Sequence, residues 1–140
     1  MNLTESLKEF HDTFLREGDL RYLKWDDLNT PEGRAALSLR LKLIQEEYRE
    51  LCAELLSMQG DHNNKDKQAN VLKEVCDCIY VLVGFMEKLG YDTDEAFKRV
   101  HESNMSKTNL EGKAEYREDG KLIKGDNYKP PVLIDLVTLA

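Results

Sequence analysis

The sequence predicts an all-α protein: four to five helices in a bundle, with a short C-terminal β-hairpin and tail. Three observations predict it. Gly and Pro are scarce, at 8 and 3, and most lie at breaks between periodic segments. Leu37, Leu41, Ile44, Tyr48, Leu51, Leu55 and Met58 recur at alternating steps of four and three, which is the spacing of one helix face. The run VCDCIYVLVGFM is apolar nearly all round and is followed closely by Gly90, as expected of a central, buried helix.

A chain of 140 residues, 41% apolar, fits one domain and can bury roughly two-thirds of its unfolded surface without staples. Residues 1–110 read as its helical part, and 111–140 as an appendage of the same domain. The net charge of −7 argues against a nucleic-acid or anionic-membrane partner, since phosphate backbones need clustered Lys and Arg. No apolar run approaches the ~18 residues of a membrane span. The start, MNLTESLKEFHDTF, lacks the pattern of an export signal. With it go three cysteines, Cys52, Cys76 and Cys78, best read as reduced thiols in a cytoplasmic protein.

Taken in order, residues 4–16 carry Leu7, Phe10, Phe14 and Leu15 on one side of a short helix. A polar-aromatic link follows, with Trp25 read as a packing residue. Thr30 then caps a long helix over 31–58, with Pro31 suited to its first position and Glu32 to the positive end of its dipole. Residues 59–70 are polar and predict a loop with a frayed helix start. A third helix spans about 69–89. A fourth follows Asp92, which is spaced with Glu95 as a capping box. Asp119-Gly120, between two short runs, signals a type I′ hairpin. The tail ends in apolar residues, which predicts docking, for instance on a partner subunit.

Several carboxylates do not belong in this pattern. Glu47 and Glu50 are three apart on the long helix, and Glu74 and Asp77 three apart on the third. Residues at that spacing share a face, where like charges repel. Glu74 and Asp77 also lie at the edge of the most apolar segment of the chain. Lys73, adjacent but about 100° round the helix, is read as pointing elsewhere. Antiparallel packing of the two helices would make the pairs converge. An all-oxygen ligand set suits Mg²⁺ or Mn²⁺, completed by the phosphates of a polyphosphate substrate. A di-iron carboxylate bundle would need Glu-x-x-His, which does not occur.

The segment EEYRE, residues 46–50, is an E-E-x-x-E motif, and EVCD, residues 74–77, an E-x-x-D motif. In this order the two resemble the all-α nucleoside triphosphate pyrophosphatase superfamily, which includes MazG proteins, dimeric dUTPases, dCTP pyrophosphatases and phosphoribosyl-ATP pyrophosphohydrolases. LRLKLIQEEYREL, HESNMSK and GKLIKGDNYKPP resemble segments of its small members, and the resemblance covers residues 5–130. It implies a MazG-like bundle that hydrolyses a nucleoside triphosphate between the α and β phosphates. It further implies Mg²⁺ (or Mn²⁺) held by Glu47, Glu50, Glu74 and Asp77, with Glu46 orienting or deprotonating the attacking water. Asn104 and Lys107 would touch substrate phosphates, and Lys124 and Tyr128 are weaker substrate candidates. A homodimer or a dimer of dimers is implied as well. Two other readings remain open at this level: hydrolysis of phosphoribosyl-ATP, and a non-catalytic helical protein that uses the long apolar seam as a partner interface.

Overall fold

Asn2 opens the first helix of the computed structural model, which describes residues 2–138. Its side chain accepts from the Glu5 N–H at 2.8 Å while Glu5 reaches back to the Asn2 N–H at 3.1 Å, a closed capping box. The chain then forms α1 (Leu3–Thr13), a 3-10 turn (Trp25–Asn29), α2 (Pro31–Ser57), a second 3-10 turn (Met58–Gly60), α3 (Lys65–Leu89), α4 (Thr93–Met105) and α5 (Ile134–Thr138). The architecture is all-helical. The described residues form two compact units, the first ending at Gly90 and the second beginning at Tyr91.

In the first unit α2 packs chiefly against α3, α1 lies on α3, and the 3-10 turn at Trp25–Asn29 lies on α2. Thr30 caps α2 as expected, accepting from the Gly33 N–H at 3.1 Å. The third helix begins four residues earlier than its apolar pattern suggested. Asn64 caps it by accepting from the N–H groups of Asp66 and Lys67, and Asp66 favours the positive end of the dipole. Gly90, at φ +78, ends it in the left-handed conformation that glycine adopts without strain. The connection between α2 and α3 is therefore short, and it turns α3 back along α2.

Gly33 shows how closely the first turn of α2 is covered. A Cβ there would lie 1.9 Å from the Asp27 carbonyl oxygen, a backbone atom that cannot swing away. Gly33→Ala is therefore expected to destabilise the protein by roughly 1–3 kcal/mol, overriding the ordinary gain from Ala in a helix. Urea unfolding checks this; an unchanged midpoint would mean that the 3-10 turn shifts freely.

The long apolar seam of α2 does not face one way. Leu37, Ile44, Leu51 and Met58 are half-buried, whereas Leu41, Tyr48 and Leu55 are exposed. The same side also holds Ala36, Arg40, Leu43, Glu47 and Glu54 half-buried, so charged residues are interleaved with apolar ones on that face. The third helix departs from expectation more strongly. Leu72 is 67% and Leu82 50% exposed, and only Gly84 and Glu87 of this helix are buried. An all-round apolar helix can be covered only on the sides where α1 and α2 meet it. Among the described residues the fully buried side chains are Leu7 and Leu23, with Leu7 beside Gly84 where α1 crosses α3.

In the second unit Asp92 caps α4, accepting from the Glu95 N–H at 3.0 Å, while Glu95 pairs with Arg99 rather than closing the box. The C-terminal hairpin is not borne out. There is no strand among the described residues, and Tyr116 and Leu122 form one isolated antiparallel bridge. A type I′ turn needs positive φ at both central residues, but here only Gly120 has it, at φ +85. The Asp119 side chain instead pairs with Arg117 and accepts from the Lys121 N–H at 3.0 Å. The apolar tail forms α5 and is held to α4 by Arg99, which donates to the Val132 carbonyl at 3.0 Å and pairs with Asp135 at 2.6 Å. The last two residues of that tail lie outside the described residues.

Candidate active site

Glu47 and Glu50 on α2 and Glu74 and Asp77 on α3 converge, each offering a carboxylate oxygen within 4.8 Å of the others. The antiparallel turn between the helices achieves this, since the inward faces carry Ile44, Glu47 and Leu51 on one side and Val71, Glu74 and Cys78 on the other. Glu46 is exposed and outside this group.

The group is short of partners. Glu47 Oε2 and Glu74 Oε2 are buried and make no hydrogen bond. Buried carboxylate oxygens are costly unless paired, protonated or bound to a metal. Burial pushes the Glu47 carboxyl above its ordinary value, and the charges of Glu50, Asp77 and Glu74 push it the same way. The neighbouring Cys78 thiol is likewise pushed up by burial and then by Glu47, Glu74 and Asp77. A hard divalent cation relieves all of these strains together, because carboxylate oxygens are its preferred donors. The donor set fits Mg²⁺ or Mn²⁺.

Lys73 corrects the sequence reading. It does not point away: its Nζ lies 2.8 Å from Asp77 Oδ2 and 3.5 Å from Glu74 Oε1. The four-carbon stem spans one helical turn to the i+4 residue, which outweighs the angle at which it leaves the backbone. That spacing was present in the sequence and could have found it. Trp25, read as a packing residue, is exposed, as are Phe14 and Cys76.

The remaining candidates lie in the second unit. Asn104 is exposed at the end of α4, and Lys107 is half-buried just beyond it. The two conspicuous segments of this unit are built on one another. Ser103 Oγ donates to the Lys129 carbonyl at 2.7 Å, and the Lys129 N–H donates to Ser106 Oγ at 2.9 Å. Asn127 donates from its backbone to the Thr108 carbonyl and from its side chain to Thr108 Oγ1, both at 3.0 Å. Gly125 allows this approach, for a Cβ there would lie 2.3 Å from the Thr108 oxygen. Lys124 Nζ sits 5.0 Å from the centre of the Tyr128 ring, so these two candidates stack on each other.

The family model for phosphoribosyl-ATP pyrophosphohydrolase matches residues 7–104, more than two-thirds of the chain. The chain belongs to the phosphoribosyl-ATP pyrophosphohydrolase family. A search of curated proteins gives no match. This pyrophosphohydrolase is thus a MazG-like all-α hydrolase acting on phosphoric anhydrides, and its substrate is a nucleotide. The matched stretch contains all four converging carboxylates and ends at Asn104.

A second cluster of charges was not legible in the sequence. His11 Nδ1 lies 2.8 Å from Glu87 Oε1, Arg21 clamps both oxygens of Glu87 at 2.7 and 3.2 Å, and Arg21 Nε reaches Asp12 at 2.6 Å. Arg40 Nη1 approaches the other His11 nitrogen at 3.4 Å. This network ties α1 and the following link to the end of α3.

Proposed function

We propose that the protein is a divalent-metal-dependent nucleoside triphosphate pyrophosphohydrolase. It would cleave a (d)NTP between the α and β phosphates, giving the monophosphate and pyrophosphate, in control of the nucleotide pool. The observation that carries this reading is the convergence of Glu47, Glu50, Glu74 and Asp77, with two buried oxygens unpartnered. When bound, Mg²⁺ neutralises triphosphate charge and acidifies a water poised to attack. Glu47, Glu50, Glu74 and Asp77 would hold it. Glu46 would accept the proton of the attacking water. Asn104 and Lys107 would bind phosphate oxygens, Lys as a mobile point charge, with Lys124 and Tyr128 as further contacts. Residues 1–110 would form the catalytic domain, and 111–140 would belong to it. The exposed apolar residues of α3 and of the outer α2 seam support assembly as a homodimer or homotetramer.

The family match favours one second reading, hydrolysis of phosphoribosyl-ATP, which carries the same triphosphate. One chromatographic assay separates the two. Each NTP and dNTP, and phosphoribosyl-ATP, is incubated with Mg²⁺ or with EDTA. Monophosphate and pyrophosphate from a common nucleotide, with metal only, are expected. Turnover of phosphoribosyl-ATP alone selects the second reading, and diphosphate plus phosphate overturns both. Saturating Mn²⁺ is also expected to raise the melting temperature, since a ligand at 100 times its Kd stabilises the native state by about 2.7 kcal/mol. An unchanged melting temperature would count against a metal site.

A further inference from the structure

Lys73 supplies both ion pairs that the four carboxylates make among the described residues. It takes Asp77 Oδ2 and Glu74 Oε1, and the buried oxygens without a hydrogen bond are Glu74 Oε2 and Glu47 Oε2. Glu74 is therefore divided, one oxygen on the ammonium and the other free for a second cation. The Lys73 side chain is 64% exposed, so it reaches the cluster from the solvent side.

An ordinary surface pair explains this geometry poorly. A Lys placed four residues before an Asp is the weaker orientation for a helical ion pair, because the opposite order also suits the helix dipole. What draws the ammonium here is the summed field of four carboxylates within 4.8 Å. The same field draws a divalent cation. Two cations at one cluster repel, and the doubly charged one gains more from the carboxylates.

We propose that Lys73 is the resident counter-ion of the carboxylate cluster, which a divalent cation must displace from Asp77 and Glu74 in order to bind. This rests on the metal reading of the site proposed above. Lys73 is then a positioning residue: it keeps the carboxylates gathered before the metal arrives, and it weakens metal affinity by competing for two of the four ligands. Its mobile ammonium makes the exchange cheap, since water can take over the released group at once.

The test uses Mn²⁺ alone, without nucleotide, on the full chain. Calorimetric titration and thermal melting are run on the wild type, Lys73→Met, Lys73→Arg and Glu50→Gln at low salt. Lys73→Met is expected to bind Mn²⁺ roughly ten-fold more tightly, with the gain shrinking as salt rises. It is also expected to melt a few degrees below wild type in EDTA and level with it in saturating Mn²⁺. Lys73→Arg, which keeps the charge, should stay near the wild-type affinity. Equal or weaker Mn²⁺ binding by Lys73→Met, while the wild type binds and Glu50→Gln does not, overturns the counter-ion role and leaves the metal site standing. No Mn²⁺ binding by the wild type overturns both.

Discussion

Glu50→Gln is expected to abolish nucleotide hydrolysis while leaving the fold intact, and Asp77→Asn to do the same. Each removes one carboxylate charge from the group that would hold the metal. Metal-borne stabilisation of a phosphoryl transition state amounts to several kcal/mol, so losses of roughly 10³-fold or more in kcat/KM are expected. The stability arm runs the other way. Glu50 lies among like charges, so in EDTA Glu50→Gln should melt at or above the wild-type temperature. A residue retained for folding would show the reverse. Activity within a few-fold of wild type for both variants would remove these two from the ligand set.

The largest expected loss of stability comes from Glu87→Gln. Glu87 is 6% exposed, and it faces His11 and both terminal nitrogens of the Arg21 guanidinium. Burial works against its charge, but the hydrogen bonds from Arg21 and His11 outweigh it and hold its carboxyl below the ordinary 4.5. Removing one partner of a buried pair strands the other, at about 3–5 kcal/mol. The melting temperature should fall by about 10 °C or more. The same network sets an acid dependence. His11 is held below its ordinary 6.5, first by burial, so its protonation is easier in the unfolded chain. Glu87 is also held low, so both groups contribute stability that is lost as pH falls. The loss should begin below 6.5 with His11 and steepen below 4.5 with Glu87. In Glu87→Gln the second phase should disappear. A variant that melts like wild type at neutral pH would mean that Asp12, which Arg21 already meets at 2.6 Å, is partner enough.

The parts of this fold that could be read in the sequence are those whose cause is local. Thr30-Pro31 starts α2 and Gly90 ends α3 because caps act over one helical turn. The carboxylate site was legible for the same reason. Its two pairs are each set by i,i+3 spacing, whereas the connection that turns one helix back on the other is shorter than the 59–70 loop the sequence predicts. The start of α3 was missed because Asn64 and Asp66 were read as loop polarity rather than as cap and first turn. The side of α2 that turns inward was also missed. Leu41, Tyr48 and Leu55 looked like core, and the inward places went to Arg40, Glu47 and Glu54. The pairing of His11 with Glu87, 76 residues apart, leaves no trace in local spacing.

The interleaving of apolar and charged residues along the inward face of α2 has a consequence for how the protein tolerates changes of length. Ile44 and Leu51 flank Glu47 on that face, so the helical phase that seats them also aims the carboxylate. One residue inserted between Ile44 and Leu51 would turn everything beyond it by about 100° and scramble seam and site together. One residue inserted at Gly60, in the turn between the helices and next to open space, would only lengthen the turn. The site is thus written in the phase of two helices rather than in the distance between its motifs.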